Sequence, residues 1–431
     1  MLRHIIICMD QKEKAKSNTL WTRDFTIITL GSVVSMLGST LSGFAMSLLV
    51  LDYTGSAFYY ALYNIAYFLP YVVMPVLSGP FLDRFSRKKT IYTLDFITAG
   101  LYLVFTVIIK AGWFTFPLLA VGVFVLGVIG SIYQVAYESF YPLLISEGNY
   151  SRAYSVASTL ETLSMVMVPV ATLIYKNFGI EIIFAINVIT YLVAAVFETK
   201  IQHVEKYVET RRAEAALSEH TKKGLKRFTS DFKEGLEYLK SEKGLLAVTL
   251  YFFFSFLSSG AGESMTLPYF RQTFNDGEYI YMLVWGCGSA ARALGGVIHY
   301  RYKLPTDKKY SIAFAVYISI SILGAIYLFL PVPLMVLFCV ANGILGVTSY
   351  NIRISATQRY VPDEKKGRFN GAFNTITMVG MLLGQFIAGA LSIRFPLRMI
   401  IVIFELICLL SVIIIIGGNR KDVSKIYNTQ D

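Results

Sequence analysis

Charged residues are scarce in this sequence. Asp, Glu, Lys and Arg make up 16% of the 431 residues, whereas about 25% is usual in soluble domains. Hydrophobic residues make up 55%, and the mean hydropathy is positive. This balance excludes an ordinary soluble domain and indicates a chain that is embedded in a membrane.

Residues that many enzymes and metalloproteins depend on are also few. The four cysteines lie far apart, mostly inside apolar runs, with neither metal-ligand spacing nor a disulfide framework. There are four histidines, and no phosphate-binding Gly-Lys-Ser/Thr loop, His-Glu-x-x-His motif or nucleophile elbow is found. We therefore expect no enzyme activity, no cofactor and no metal site.

Long apolar runs dominate what is present. A membrane span needs about 20 apolar residues, and twelve stretches satisfy that rule. They are residues 24–51, 56–81, 90–110, 113–144, 151–175, 180–198, 245–270, 278–300, 309–330, 333–358, 366–393 and 397–417. The sequence thus predicts an all-α integral membrane protein with twelve transmembrane helices.

Positive charge is distributed unevenly around these spans. Of the 39 Lys and Arg residues, 32 lie in the two tails and in alternate loops on one side of the membrane, and 5 lie on the opposite side. By the positive-inside rule, both termini are predicted to be cytoplasmic. The net charge of +11 is then an orientation signal, so we expect the lipid bilayer as a partner and no nucleic acid.

One long polar segment divides the chain after six spans. The predicted organisation is an N-terminal tail, a six-helix half, a cytoplasmic linker, a second six-helix half and a C-terminal tail, at residues 1–23, 24–198, 199–244, 245–417 and 418–431. Within the linker, Phe232, Leu236 and Leu239 share one face of a predicted amphipathic helix, which we expect on the inner membrane surface.

The two halves resemble each other at corresponding positions. Residues 79–84 close the second span of the first half, residues 296–301 close the second span of the second half, and short cationic loops follow both. A weak repeat of six plus six spans is typical of transporters built from two similar halves.

The stretch GPFLDRFSRKK, residues 79–89, matches a known signature. Its spacing of Gly, three residues, Asp-Arg, two residues and Arg-Lys resembles the loop after span two of the major facilitator superfamily. The segments LDYTGSAFYYALYNIAYFLPY, YPLLISEGNYSRAYSVAS and RYVPDEKKGRFNGAFN resemble macrolide-efflux and enterobactin-exporter-like members, and the resemblance runs from about Trp21 to Gly418. It implies the major facilitator fold and a monomer in a bacterial plasma membrane.

The resemblance also implies a role for this loop. In such transporters its Asp lies near the N-terminus of span eleven when the site faces outward, an interaction worth about 0.3–2 kcal/mol. A small residue at Gly79 lets helices approach closely, and Arg87 is expected to bridge Asp83 to Glu138 at the end of span four. Ser86 stands where the family often has Gly. We expect a conformational latch, formed by Gly79, Asp83, Arg84, Arg87, Lys88 and Glu138; a positive-inside anchor is the alternative, but it leaves Asp83 unexplained.

Charges inside spans are costly and mark candidate sites. Glu161 lies about 15 Å into span five, and Arg292 lies at similar depth in span eight, which the resemblance makes its neighbour. We expect an ion pair that either breaks and re-forms during transport or permanently fixes packing. Asp95 and Arg353 lie near the cytoplasmic ends of their spans, where interfacial pairing is expected.

Glu263 is the predicted substrate-binding carboxylate. It lies in SSGAGESMTLP, where Gly260, Gly262 and Pro268 predict a broken helix lining a cavity; a Glu that merely faces the extracellular side is the alternative. The resemblance implies that spans one, four, seven and ten line this cavity. On that basis the further substrate-binding candidates are Tyr133, Gln134, Ser35, Ser39, Asn342 and Asn351.

These features favour secondary transport, since no nucleotide site is found. The leading hypothesis is export of amphipathic small molecules, drug-, macrolide- or siderophore-like, coupled to protons and working by alternating access. Related proton-coupled exporters commonly carry an Arg on span four, where this sequence has Leu126. They also carry a Gly-rich motif on span five, of which this sequence keeps Pro169 but not the glycines. Glu161 and Glu263 are the best-placed proton carriers. A lipid or glycolipid flippase and a non-transporting, receptor-like relative are the alternatives.

Overall fold

The structure of the chain is a computed structural model. It describes residues 19–82, 85–146, 167–203, 232–301 and 304–428, with the isolated positions 149, 152–154, 156, 157, 160, 164 and 205. The described residues form helices and connecting turns, and no strand occurs among them. The predicted all-α architecture is confirmed.

Helices lie at the positions of the predicted spans. They are α1 Arg23–Thr54, α2 Ala57–Leu82, α3 Arg87–Lys110, α4 Phe116–Phe140, α5 Met167–Phe178, α6 Ile180–Thr199, α7 Lys243–Thr273, α8 Gly277–Arg301, α9 Lys309–Ile326, α10 Val332–Tyr360, α11 Asp363–Leu391 and α12 Leu397–Ser411. Within the part of the chain that the structure describes, ten helical stretches are long and apolar enough to cross a membrane. The chain is a membrane-embedded helical protein.

The chain forms two compact units. One comprises Met1–Leu49 with Val73–Gly224, and the other comprises Val50–Val72 with Leu225–Asp431. The end of α1 and the first two thirds of α2 therefore pack with the helices of the second half. Hydropathy locates spans in the sequence but does not specify which neighbours they pack against, so this exchange was not predicted.

In the first unit, α3 packs along α6 through aromatic rings. The ring of Tyr102 lies 5.4 Å from that of Phe184, measured between centroids. The Tyr102 hydroxyl lies 2.9 Å from Ser42 on α1, and Ser42 in turn accepts a hydrogen bond of 2.7 Å from Asn187 on α6. Three helices thus meet at a buried polar cluster whose hydrogen bonds are satisfied.

In the second unit, glycines bring α7 and α11 into close contact. A Cβ atom on Gly260 would lie 2.1 Å from the Met381 carbonyl oxygen, and one on Gly384 would lie 2.0 Å from that of Leu257. The helix α7 is continuous through this region and through Pro268. The predicted break is therefore wrong, because Gly260 serves close helix packing rather than an interruption of the helix.

The predicted amphipathic helix of the linker is present at residues 232–241. Leu239 is buried, and Phe232 packs against the core of the second unit. Gly235 lies against the backbone of Arg368, whose side chain forms a 2.9 Å ion pair with Glu234. Part of the apolar face of this helix is thus covered by protein, and its position on the membrane surface stays a prediction.

The predicted C-terminal tail contains a further helix, Arg420–Tyr427. Val423, Ile426 and Tyr427 are buried in the second unit. The Tyr427 hydroxyl lies 2.8 Å from that of Tyr317 on α9. This short helix is therefore held by a buried polar contact as well as by apolar packing.

Candidate functional site

The signature loop ends in a helix cap. Ser86 is the N-cap of α3, and its hydroxyl oxygen accepts a 3.1 Å hydrogen bond from the Lys89 backbone N–H. The same hydroxyl donates to the Glu205 carboxylate, which also accepts a 3.0 Å hydrogen bond from the Arg87 backbone N–H. A carboxylate therefore binds the N-terminus of α3, where the helix dipole favours negative charge.

The bases of the loop are held within the first unit. The Arg87 side chain donates to the Ser139 carbonyl oxygen at 2.9 Å, and the Lys88 ammonium donates to the Ile201 carbonyl oxygen at 2.5 Å. Glu138, next to Ser139, accepts a 2.8 Å hydrogen bond from Gln134. These contacts tie the start of α3 to the ends of α4 and α6.

Part of the predicted latch cannot be placed. Asp83 and Arg84 lie outside the described residues, and of Gly79 only its position in α2 is described. The proposed bridge from Asp83 through Arg87 to Glu138 therefore stays a prediction.

Two buried carboxyl groups meet between α3 and α6. Asp95 is 1% exposed and Glu198 is 0% exposed. Their carboxyl groups are neighbours, within reach of a hydrogen bond if one of them carries a proton. The expectation of interfacial pairing for Asp95 is wrong, because the residue is buried and its neighbour is another acidic side chain. Glu198 escaped the sequence interpretation because it falls at the end of a span.

Tyr133 lies beside this pair on α4. Its hydroxyl group is buried and lies near the Glu198 carboxyl group and Ser32, although neither contact in the described part of the chain has the geometry of a full hydrogen bond. Its ring stacks on that of Tyr137, with centroids 6.0 Å apart. The predicted cavity-lining role of Tyr133 stays a prediction. The same is true of its neighbour Gln134, whose side-chain amide donates a hydrogen bond to Glu138 in this structure.

The serine candidates on α1 have partners inside the unit. Ser35 is buried and donates to the Ser32 carbonyl oxygen at 3.2 Å. The Ser39 hydroxyl lies 2.7 Å from the Ser35 carbonyl oxygen and 2.6 Å from the Tyr191 hydroxyl on α6. These contacts give both serines a packing role, and their substrate role stays a prediction.

Glu263 lies well inside α7, about 15 Å from its end. Its carboxylate accepts a 3.3 Å hydrogen bond from the side-chain amide of Gln385 on α11. Gln385 is fully buried. A Cβ atom on the preceding Gly262 would meet no atom within 4 Å. Among the described residues, no Lys or Arg forms an ion pair with Glu263. A carboxylate without a cationic partner thus lies inside the helical region, and the glycine that precedes it faces open space.

The remaining candidates other than Glu161 lie in the second unit. Asn342 on α10 has a buried side-chain oxygen with no hydrogen-bond partner in the described structure, and Asn351 is half-buried on the same helix. Arg292 is exposed on α8. Glu161 lies outside the described residues, so its predicted pairing with Arg292 stays a prediction.

Arg353 on α10 lies among aromatic rings. Its guanidinium carbon is 4.6 Å from the ring centroid of Phe373 and 5.3 Å from those of Phe252 and Tyr350. Cation–π contacts of this kind partly replace water around a cation. The expected interfacial pairing of Arg353 is replaced by this aromatic environment, which short-range patterning along one helix could not reveal.

An ionic cluster lies near the end of α7. Arg271 forms an ion pair with Asp52 near the end of α1, and its Nε atom is 3.8 Å from Glu278 at the start of α8. All three residues belong to the second unit. Three helix ends are thus joined by alternating charges.

The fold and the buried charges together define a helical membrane protein with polar groups buried between its spans. The profile of the Major Facilitator Superfamily matches residues 28–384. The chain belongs to that superfamily. The sequence-based recognition of the family is confirmed.

Individual relatives are distant. The chain is 25% identical over 260 residues to macrolide efflux protein A of Streptococcus pyogenes, covering 59% of this chain and 61% of that protein. It is 25% identical over 377 residues to the uncharacterised transporter YfiS of Bacillus subtilis (strain 168), covering 85% of this chain and 84% of that protein. The chain therefore spans about three fifths of the macrolide efflux protein.

Solved structures show the same fold. A crystal structure of a bacterial homologue of the iron transporter ferroportin, in its inward-facing state, matches with a TM-score of 0.67 and 14% identity, covering 93% of this chain and 99% of that chain. A crystal structure of a point mutant of the nucleoside transporter NupG matches with a TM-score of 0.60 and 14% identity, covering 92% of this chain and 99% of that chain. At this identity the likeness establishes the fold alone.

Proposed function

We propose that this chain is a secondary active transporter that exports amphipathic small molecules by alternating access, coupled to protons. The observation that carries the proposal is Glu263, a carboxylate well inside α7 that accepts a hydrogen bond from Gln385 and forms no ion pair among the described residues. A charge in that position is costly and is retained when it binds a ligand or a proton.

The surroundings of Glu263 favour a cation with an apolar body. Tyr281 on α8 lies within electrostatic reach of the carboxylate, and its ring stacks on that of Trp285 with centroids 6.0 Å apart. Aromatic rings offer flat apolar surface and attract cations. A basic amphipathic molecule would use both properties, the carboxylate for its charge and the rings for its body.

The conformational change is assigned to the signature loop. Arg87 and Lys88 hold the start of α3 against α4 and α6, so the loop is rigidly supported from the first unit. Asp83 is the proposed reversible contact, because one carboxylate at a helix N-terminus contributes about 0.3–2 kcal/mol, enough to bias two states without locking either. Export, rather than import, is proposed from the name of the macrolide efflux relative.

Ligand binding by Glu263 can be tested with purified full-length protein. A ligand that binds the native state raises its thermal stability by mass action, by about 2.7 kcal/mol at 100 times its Kd. We expect cationic dyes and macrolides to stabilise the protein. The substitution Glu263→Gln keeps the shape and removes the charge, so it should weaken cationic ligands by about tenfold or more and leave neutral ligands of similar size little affected.

The control is Glu364→Gln, which removes one negative charge from an exposed site at the start of α11. It should leave both ligand classes unaffected. The effect of Glu263→Gln should shrink as the pH falls, because protonation of the native carboxyl abolishes the same attraction. Equal loss for cationic and neutral ligands would remove Glu263 from the binding site, and stabilisation by lipids alone would favour the flippase.

A further inference from the structure

We propose that Asp95 and Glu198 form a buried proton-binding site in the first unit, in which the two carboxyl groups share one proton. We further propose that release of this proton weakens the contact between α3 and α6. The second statement rests on the proposed proton-coupled transport, whereas the first does not.

The first observation is that both carboxyl groups are buried without a hydrogen-bond donor or a counter-charge that would stabilise an ionised form. Asp95 and Glu198 are 1% and 0% exposed. Asp95 Oδ2 and both carboxyl oxygens of Glu198 are buried and accept no hydrogen bond from the described residues. Among those residues, neither side chain takes part in an ion pair. An ionised carboxylate without donors or a counter-charge is strongly disfavoured in such surroundings.

The second observation is that the two groups lie against each other. Two ionised carboxylates have no hydrogen to donate, so their contact is a hydrogen bond only when one of them holds a proton. Neighbouring carboxylates also repel, and such pairs retain one proton between them. A single shared proton supplies the missing donor and halves the buried charge.

A proton fits this site better than a metal cation. A Cβ atom on Gly31 of α1 would lie 3.1 Å from Glu198 Oε1, so this carboxyl group is tightly enclosed. Na⁺ or Ca²⁺ would need several more oxygen ligands than two carboxyl groups supply. The Tyr133 hydroxyl group, which lies near Glu198, adds one more oxygen at most.

The titratable groups around the pair are themselves neutral at ordinary pH. Tyr133 and Tyr137 face Glu198 from α4. From α1 the pair meets Gly31, and Ser32 of the same helix lies near the two tyrosines. Together with Asp95 on α3 and Glu198 on α6, these are the groups that the described residues of the four helices bring to the site. The charge of the site therefore depends on the carboxyl pair itself.

The carboxyl pair lies further along α3 and α6 from the signature loop than the hydrogen bonds of Arg87 and Lys88. Arg87, which bonds the Ser139 carbonyl on α4, is two helical turns before Asp95 on α3. Lys88 bonds the carbonyl of Ile201, three residues after Glu198. Loss of the shared proton would create repulsion between α3 and α6 within about two helical turns of these contacts. Proton release is thereby linked to the support of the loop.

Infrared spectroscopy of the purified full-length protein at pH 7 counts protonated carboxyl groups. The double variant Asp95→Asn plus Glu198→Gln should lose the absorption of one protonated carboxyl group per chain. Both substitutions keep the side-chain shape, and the amide region of the same spectrum with gel filtration verifies folding. The control Glu181→Gln, on the first turn of α6, should lose none.

A loss of no protonated carboxyl group, or of two, would overturn the proposed site. No loss would mean that both carboxyls are ionised, and loss of two groups would mean that both are permanently neutral. If the double variant fails to fold, the single variants serve: each must remove or shift the same band in the wild-type spectrum, and an unchanged band in both contradicts the proposal.

A transport measurement tests the coupling separately. In proteoliposomes, Asp95→Asn and Glu198→Gln should each lower pH-gradient-driven flux of a cationic dye by about tenfold, while dye exchange without a gradient stays near the wild-type rate. Unchanged gradient-driven flux would refute the coupling role and leave the proton site standing. Absence of any flux in the wild type would refute the proposed function, but it would not change the infrared count.

Discussion

At the scale of single residues, Ser86 joins two functions in one side chain. Its hydroxyl oxygen caps α3 by accepting from the Lys89 N–H, and its hydrogen goes to the Glu205 carboxylate. A glycine, common at this position in the family, would provide neither bond. The departure of this sequence from the family pattern is therefore compensated by a specific helix cap.

We predict that Ser86→Ala destabilises the first turn of α3 by about 1 kcal/mol, the usual cost of losing an N-cap. Hydrogen exchange measures this at single amides. The Lys89 amide loses its acceptor and should exchange about fivefold faster. The Thr90 amide, which bonds the Ser86 carbonyl oxygen, is an internal control and should change less. Unchanged exchange at Lys89, or a Ser86→Thr variant as fast as Ser86→Ala, would contradict the cap.

Single residues could be singled out from the sequence where their chemistry is local to one segment. Glu263 could be singled out as a charge in an apolar span, and the structure gives it a partner, Gln385, from a helix more than a hundred residues away. The pairing of Asp95 with Glu198 could not be found that way, because each had been assigned to the end of its own span. A contact between two helices has no local signature in either.

At the scale of helices, spans were predictable because length and apolar composition alone define them. What could not be predicted is the purpose of the glycines in α7. Gly260 and Gly262 are alike in sequence context, yet only the first lies against another backbone. Composition suggested a break in the helix, whereas packing against α11 explains the small residue.

This difference predicts opposite effects of two neighbouring substitutions. Gly260→Ala should destabilise the protein by about 1–3 kcal/mol, because the added methyl group would overlap the Met381 carbonyl. Gly262→Ala has space and should be neutral or stabilising by up to about 1 kcal/mol, since alanine favours the helix. Thermal unfolding of the purified variants compares the two directly. Similar unfolding temperatures for both would contradict the close packing of α7 and α11.

At the scale of the whole molecule, the family could be recognised from one loop, and the twelve-helix architecture from hydropathy. The grouping of Val50–Val72 with the second unit could not. This grouping depends on contacts such as the ion pair of Asp52 with Arg271. It also depends on the close approach of Ala61 and Gly389, since a Cβ atom on Gly389 would lie 2.6 Å from that of Ala61. These contacts join segments that are far apart in the sequence, so no window along the chain contains them.

Proton-coupled export is the central claim, and flux in proteoliposomes tests it most directly. The purified full-length protein would be reconstituted with a fluorescent cationic amphipathic dye on one side, and a pH gradient would be imposed in either direction. We predict dye movement against its own gradient when protons flow the opposite way, and its collapse when a protonophore is added. Glu263→Gln should abolish the concentrative flux, and Asp83→Asn should slow it while dye binding persists. Dye movement that ignores the direction of the pH gradient, or no movement of a dye that demonstrably binds, would contradict the claim.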